Sequence, residues 1–311
     1  MSDKNCRKLH PFLAFVVALA AILSLATPAR ADLLTGLYDG KVLHRKYAGQ
    51  LRKTRFSCPA MGGMRTVYLY TPPGFAQNPT KRYPVLVLLH GTPGQPVDWI
   101  YKGKAVASVE ESILAGKLPP CLVAVPDGKG PFQHGGSEWA DSFDGRCKME
   151  TAIVRDLADF LESRYRASAD PALWTVGGLS EGGFGAANIA LHHPDRFRTV
   201  LAFSTELHLN GRWKDADAVF GTDPAFRASY SPIELLHSIP AETRSKLHFY
   251  VAVGQKEKRL IPDTVAFTGN ARAEGIESAL VRDPGGHSWH FWIRQFRAAL
   301  TPLAAWWRKA E

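Results

Sequence analysis

The stretch that decides the reading of this chain is Trp174-Thr-Val-Gly-Gly-Leu-Ser-Glu-Gly-Gly-Phe-Gly-Ala-Ala-Asn-Ile-Ala-Leu-His-His-Pro194. Trp174-Thr-Val176 reads as a strand, and a small-residue helix follows to about His192, halted before Pro194. Between them lies Gly178-Leu179-Ser180-Glu181-Gly182. A serine in a strained strand-to-helix turn needs glycine two residues to either side, because a side chain there would crowd the turn. The turn projects the Ser180 hydroxyl from the sheet edge. It also places the Glu181 N–H at a helix N-terminus, where it faces a developing oxyanion. The pentapeptide alone is common by chance; the strand before it and the helix after it make Ser180 a candidate nucleophile.

Outward from this point, strand and helix patterns alternate. Met64 to Tyr70 alternates and stops at Thr71-Pro-Pro-Gly74. Pro84 to Leu89 and Cys121 to Val125 are continuous apolar runs, expected of strands buried on both faces. Arg198 to Phe203, Leu247 to Val253 and Ser278 to Arg282 are further strands. Helical spacing covers Ala105 to Lys117, Thr151 to Tyr165, Thr264 to Glu274 and His290 to Trp307. Asp32 to Ser57 reads as short strands and turns. The pattern predicts a mostly parallel central sheet with helices on both faces and an antiparallel start, and the serine turn after one of its strands makes an α/β-hydrolase fold the expected class. Residues 32–311 form one catalytic domain, interrupted by a polar, turn-rich, lid-like insertion at about 210–246.

Residues 1–31 are set apart. Lys4, Arg7 and Lys8 precede the apolar run Phe12 to Leu25, and Ala29-Arg30-Ala31 is a small-x-small cleavage site. This is the pattern of a signal peptide, so the mature chain is expected to begin at Asp32 and to work in the periplasm or outside the cell. The apolar run is shorter than the roughly 20 residues of a spanning helix, and no stable membrane insertion is expected after cleavage. The formal charge is +9. Losing Lys4, Arg7, Lys8 and Arg30 against Asp3 leaves about +6, dispersed and without a nucleic-acid-binding motif. Cys58, Cys121 and Cys147 remain, enough for at most one internal disulfide, whose pairing is open. Cys121, at the head of an apolar run, reads as a buried thiol.

A serine hydroxyl needs an imidazole base, and the base needs a carboxylate to fix its tautomer. In this fold the chain order is Ser, acid, His. His287 lies in Pro284-Gly-Gly-His-Ser-Trp289, a Gly-rich loop after the last strand; its rival His290 begins the final helix. His192 and His193 suit a helix C-terminus, and His90 precedes the serine. For the acid, Glu257 in Gly254-Gln-Lys-Glu257 is the first carboxylate past the strand ending at Val253, with Asp263 and then Glu274 as alternatives. A second oxyanion donor should come from the loop after Leu89, where the Thr92 N–H follows His90-Gly91. Trp99, Trp139 and Asp141 lie in loops expected at the same sheet edge and are candidates for a substrate pocket.

Tyr-Leu-Tyr-Thr-Pro-Pro-Gly74, Leu-Leu-His-Gly91, Val-Pro-Asp-Gly128, Gly-Leu-Ser-Glu-Gly-Gly-Phe-Gly185, His-His-Pro-Asp-Arg-Phe197 and Pro-Gly-Gly-His-Ser-Trp289 occur in this order. Together they resemble the esterase D-type "putative esterase" family, which includes S-formylglutathione hydrolases, feruloyl and acetyl xylan esterases, enterochelin esterases and mycolyltransferases. The resemblance implies a Ser180–Glu257–His287 triad and oxyanion N–H groups at Thr92 and Glu181. It departs from the family in two places. Most members carry Asp where Glu257 stands, and an apolar residue, often Met, where Glu181 stands. A carboxylate beside the oxyanion would oppose catalysis unless it points away or is paired.

The expectation is therefore an exported serine esterase that forms an acyl-enzyme on Ser180. Its substrate would be a small-molecule, cell-envelope or polysaccharide ester. One alternative is an acyltransferase that passes the acyl group to a sugar or lipid alcohol. Another is a non-catalytic binding protein on the same fold. No metal or organic cofactor is expected, since no His-Glu-x-x-His or Cys-x-x-Cys pattern occurs.

Overall fold

The computed structural model describes residues 43–132, 136–209 and 216–310; the expected signal peptide lies outside them. Eight strands form one sheet: β1 (Gln50–Cys58), β2 (Gly63–Thr71), β3 (Val85–Leu89), β4 (Leu122–Pro126), β5 (Trp174–Leu179), β6 (Thr199–Phe203), β7 (His248–Gly254) and β8 (Glu277–Asp283). Their order is β1-β2-β4-β3-β5-β6-β7-β8. β1 pairs antiparallel with β2 from Gln50↔Thr71 to Cys58↔Gly63, and β2 is antiparallel to β4. The strands from β4 through β3 to β8 are parallel.

Alternation along each strand sends successive side chains to opposite faces. Val85, Val87 and Leu89 of β3 join a core with Val176 and Ile189 on one face. Leu86 and Leu88 join Trp99, Phe296 and Trp307 on the other. Two cores need two helical layers, which is why the central strands are apolar throughout. The principal helices are α1 (Pro96–Tyr101), α2 (Ala105–Leu114), α3 (149–165, with a π turn at Ala152–Leu157) and α4 (Glu181–His192). Four short helices follow: α5 (Ala216–Phe220), α6 (Pro224–Ala228), α7 (Pro232–Leu235) and α8 (Ala241–Arg244). Then come α9 (Ile261–Ala273) and the 22-residue α10 (Trp289–Ala310). No helix among the described residues is long and apolar enough to cross a membrane.

Two elements differ from the sequence reading. Residues 50–58 form one nine-residue strand rather than short pieces. Only Phe56 and Cys58 in it are buried, so it lacks the apolar alternation that marks a strand. Its Arg52, Lys53 and Arg55 suit an unpaired sheet edge, where charge discourages further pairing. Helix α1 is not expected from the sequence, although Pro96 stands at its first position and the Asp98 carboxylate accepts from the Gln95 N–H at 3.3 Å. Cys58, Cys121 and Cys147 are buried free thiols. Burial pushes the Cys58 and Cys147 thiols up to about 11.

In the insertion, residues 210–215 fall outside the described residues. Phe220, Tyr230, Leu236 and Ile239 from its remainder enter the core, with Phe220 against Phe184 of α4.

The strand order also locates the site. The chain leaves β3 toward β4 on one side and returns to β5 on the other side of β3. Where connections diverge like this, the loops at the carboxyl ends of the two strands part and leave a crevice. Here those loops are His90–Gly91–Thr92 and the turn holding Ser180.

Candidate active site

Ser180 has φ +54° and ψ −125°, a strained conformation for a residue with a side chain. The surrounding packing imposes it. The Ser180 N–H donates to Phe203 O of β6 at 2.9 Å, and Ser180 O accepts from the Gly183 and Phe184 N–H groups that open α4. A Cβ on Gly178 would lie 2.1 Å from Gly182 O, and one on Gly182 would lie 2.3 Å from Leu89 O. Both are backbone obstacles, so the glycines flanking the serine are a steric requirement of this turn.

A cleft of about 700 Å³ opens over the turn, and Thr92, Ser180, Glu181, Glu257 and His287 all line it. Glu257 and His287 arrive on two loops that touch. Lys256 N–H donates to Gly285 O at 2.9 Å, and a Cβ on Gly254 would strike Gly285 O at 2.7 Å. His287 Nδ1 lies 2.7 Å from Glu257 Oε1. The other oxygen, Oε2, accepts from the Gly254 N–H at 2.6 Å and the Ser204 hydroxyl at 2.8 Å. Burial raises the Glu257 pKa, but the bonds from His287, Gly254 and Ser204 outweigh it and hold the carboxyl below its ordinary value. An ionised carboxylate only accepts, so His287 Nδ1 carries the hydrogen and Nε2 keeps a free lone pair. No hydrogen bond joins Ser180 Oγ to His287; such contacts commonly tighten only when substrate is bound.

The Thr92 and Glu181 N–H groups donate to no protein acceptor among the described residues, and both residues face the cleft. The Glu181 carboxylate is not free. Its Oε1 accepts from the Glu138 N–H at 2.8 Å and the Ser137 N–H at 3.2 Å, and Oε2 accepts from the Thr92 hydroxyl. A hydroxyl, an imidazole with an open nitrogen, an oriented carboxylate and two unpaired N–H groups thus share one cleft. That set is chemically equipped for acyl transfer.

A family model described as "Putative esterase" matches residues 58–303. The chain belongs to this family. Among curated relatives, an uncharacterized protein of Corynebacterium glutamicum is 31% identical over 248 residues, covering 78% of this chain and 56% of that protein. An endo-1,4-beta-xylanase/feruloyl esterase of Xylanibacter ruminicola is 28% identical over 177 residues, 55% of this chain and 24% of the relative. The match therefore spans about half of the first relative and a quarter of the second. An acetyl esterase of Caldicellulosiruptor saccharolyticus is 24% identical over 67% of this chain and 78% of its own. Among solved structures, a ferulic acid esterase superposes with TM-score 0.74 at 21% identity, covering 84% of this chain and 99% of its own. An S-formylglutathione hydrolase from Agrobacterium tumefaciens gives TM-score 0.70 at 20% identity, covering 84% and 97%. These likenesses show the α/β-hydrolase fold.

Within this esterase-family fold, the rival histidines and acids lie elsewhere. His90 is buried and accepts from the Gly128 N–H at 3.0 Å. His192 and His193 both hold Glu150. His290 is exposed on the first turn of α10, and Asp263 lies in the first turn of α9. Glu274 pairs with Arg244 and His237.

Three pocket candidates are corrected: Trp99, Trp139 and Asp141 do not line the cleft. Trp99 is buried, donates to Leu89 O at 2.8 Å and packs on Phe296 and Trp289. Trp139 is buried, donates to His90 O at 3.0 Å and presses on Gly185. Asp141 accepts from the Thr151 N–H at 3.0 Å and holds the start of α3. Their loops do rise at this edge, but the side chains turn inward, the two indoles to carbonyls at the end of β3 and the Asp141 carboxylate to an N–H in the first turn of α3.

One residue escaped sequence reading. Ser204, buried at φ +50°, accepts from the Trp292 indole N–H at 2.9 Å while donating to Glu257. Its only signal is position, one residue beyond β6.

Proposed function

We propose that this chain is an exported serine esterase that hydrolyses carboxylic esters through an acyl-enzyme on Ser180. The observation that carries the reading is the convergence of Ser180, on its strained turn, with the His287–Glu257 pair in one cleft. His287 Nε2 takes the Ser180 proton as Oγ attacks the ester carbonyl, and Glu257 stabilises the imidazolium that forms. The Thr92 and Glu181 N–H groups receive the oxyanion. The alcohol leaves with the proton from His287, and water activated by the same imidazole releases the acid.

The names of the relatives support acetyl or feruloyl esters of polysaccharides as the substrate class. The segment ending at Ala29-Arg30-Ala31 supports export. N-terminal sequencing of protein recovered outside the cytoplasm should then read from Asp32.

The decisive assay is turnover of p-nitrophenyl esters of increasing chain length, with methyl ferulate, by wild type and Ser180→Ala. The variant should lose about 10⁴-fold or more in kcat, along with covalent labelling by a fluorophosphonate. Turnover or labelling that survives Ser180→Ala would overturn the proposal.

A further inference from the structure

We infer that Glu181 is a positioning residue that sets the oxyanion site by tying the Thr92 loop to the turn of Ser180. The inference rests on the esterase reading above and goes beyond it.

The two N–H groups assigned to the oxyanion come from segments 89 residues apart, the start of α4 and the loop after β3. For both to reach one oxygen, the loop must be held against the helix. Close approach is possible because Gly91 has no side chain; a Cβ there would lie 3.1 Å from Ser180 Cβ and 3.0 Å from Leu179 Cδ1. The anchors of this loop, however, sit at its base. Leu89 O accepts from Trp99, His90 O accepts from Trp139, and His90 Nε2 accepts from Gly128 N–H. At Thr92 itself, the tie between side chains is the hydroxyl donating to Glu181 Oε2.

The other carboxylate oxygen is held from a third direction. The Ser137 and Glu138 N–H groups both point at Oε1. Successive N–H groups aimed at one oxygen form an anion-binding concavity, and the backbone leaves it through Glu138 and Trp139 at φ +51° and +54°. Glu181 is thus a built-in anion at a junction of three segments. Two peptide N–H groups and a hydroxyl disperse its charge, which removes the objection to a carboxylate beside the oxyanion. The apolar residue usual here in the family could make none of these bonds.

The test compares Glu181→Leu, Glu181→Gln, Thr92→Val, Thr92→Ser and the double Glu181→Leu/Thr92→Val on one p-nitrophenyl ester, with thermal unfolding of each. A misplaced oxyanion donor weakens the transition state more than the bound substrate. Deleting such a donor outright costs about 10²–10³ in kcat. Glu181→Leu should therefore lower kcat by about 10- to 100-fold with KM changed less than about threefold. Thr92→Val should do the same, and the double variant should be no slower than the slower single, because both cut one tie. Gln and Ser, which keep hydrogen-bonding groups, should each recover most of the loss. Unchanged kcat in Glu181→Leu, a rise in KM alone, or multiplicative losses in the double variant would overturn the inference. Should Glu181→Leu fail to fold, the Thr92→Val and Thr92→Ser pair, which leaves α4 intact, decides by the same kcat criterion. Persistence of activity in Ser180→Ala would instead defeat the esterase reading, independently of these variants.

Discussion

Replacing Ser204 with alanine should destabilise the protein by about 3 kcal/mol at pH 7, by an amount that shrinks in acid. Ser204 is 1% exposed, and its hydroxyl serves two partners. Removing it leaves the Trp292 indole N–H, in a residue 6% exposed, without its acceptor. An orphaned buried donor costs about 1–3 kcal/mol. It also removes one of three bonds to the Glu257 carboxylate, and a hydrogen bond to a charged group contributes about 1.5–3 kcal/mol. Serine and alanine bear the φ of +50° equally, so backbone strain cancels in the comparison. The Glu257 pKa is lowered in the fold, so its contribution is complete above the ordinary value of 4.5 and fades as pH falls through the folded value. Losing the Ser204 bond brings the folded value back toward 4.5. The wild-type advantage should therefore narrow below about pH 4.5, down to the part owed to Trp292. Urea unfolding at pH 7 and pH 4, followed by tryptophan fluorescence, measures both parts. In a thermal scan the drop should be roughly 6–12 °C. A difference below about 0.5 kcal/mol at pH 7, or one that widens in acid, would refute the reasoning.

Three further outcomes follow from the structure. Gly182→Ala should cost about 3 kcal/mol and abolish esterase activity, because its Cβ would meet the backbone oxygens of Leu89 and His90 at 2.3 and 2.6 Å. Gly63→Ala, with nothing within 4 Å of the added carbon, should change the melting temperature by about 2 °C or less. The third concerns Glu150, which is 5% exposed. Burial raises its pKa, but the bonds from His192 and His193 overcome this and bring it down to about 2. His192 Nδ1 faces Glu150 at 2.8 Å and Nε2 faces Ser229 O at 2.6 Å, two acceptors that require both ring nitrogens to carry hydrogen. Burial lowers the His192 pKa, but these partners raise it overall above 6.5. The carboxylate contribution is complete above 4.5 and lost toward about 2, and the imidazolium contribution is complete below 6.5 and lost above the raised value. Glu150→Gln should cost about 3 kcal/mol between these limits and less on either side; a cost that does not vary with pH in urea titrations would sink this account.

Much of this site was legible in one dimension because its chemistry demands particular residues at particular offsets. The two glycines fall within five residues of each other, so they read as one motif, although the obstacle at Gly178 is local (Gly182 O) and that at Gly182 comes from Leu89 and His90 of the neighbouring strand end. Apolar runs such as Val85–Leu89 announce doubly covered strands, and a carboxylate just past β7 and a histidine just past β8 could be ranked by chain order. The error over Trp99, Trp139 and Asp141 has the opposite cause. Their loops were placed at the right edge, but the direction of a loop side chain depends on which backbone groups beside it lack partners.

Local patterns therefore settled the alternation of elements, the turn that carries the serine and the loops that carry its partners, since each depends on neighbours a few residues away. Three-dimensional packing alone settled that Ser204 braces Glu257 and that the Glu181 carboxylate is held by Thr92, Ser137 and Glu138. Those bonds join residues 43 to 89 positions apart, and no pattern along the chain encodes such a meeting. It exists only once the sheet has brought the carboxyl ends of its strands together.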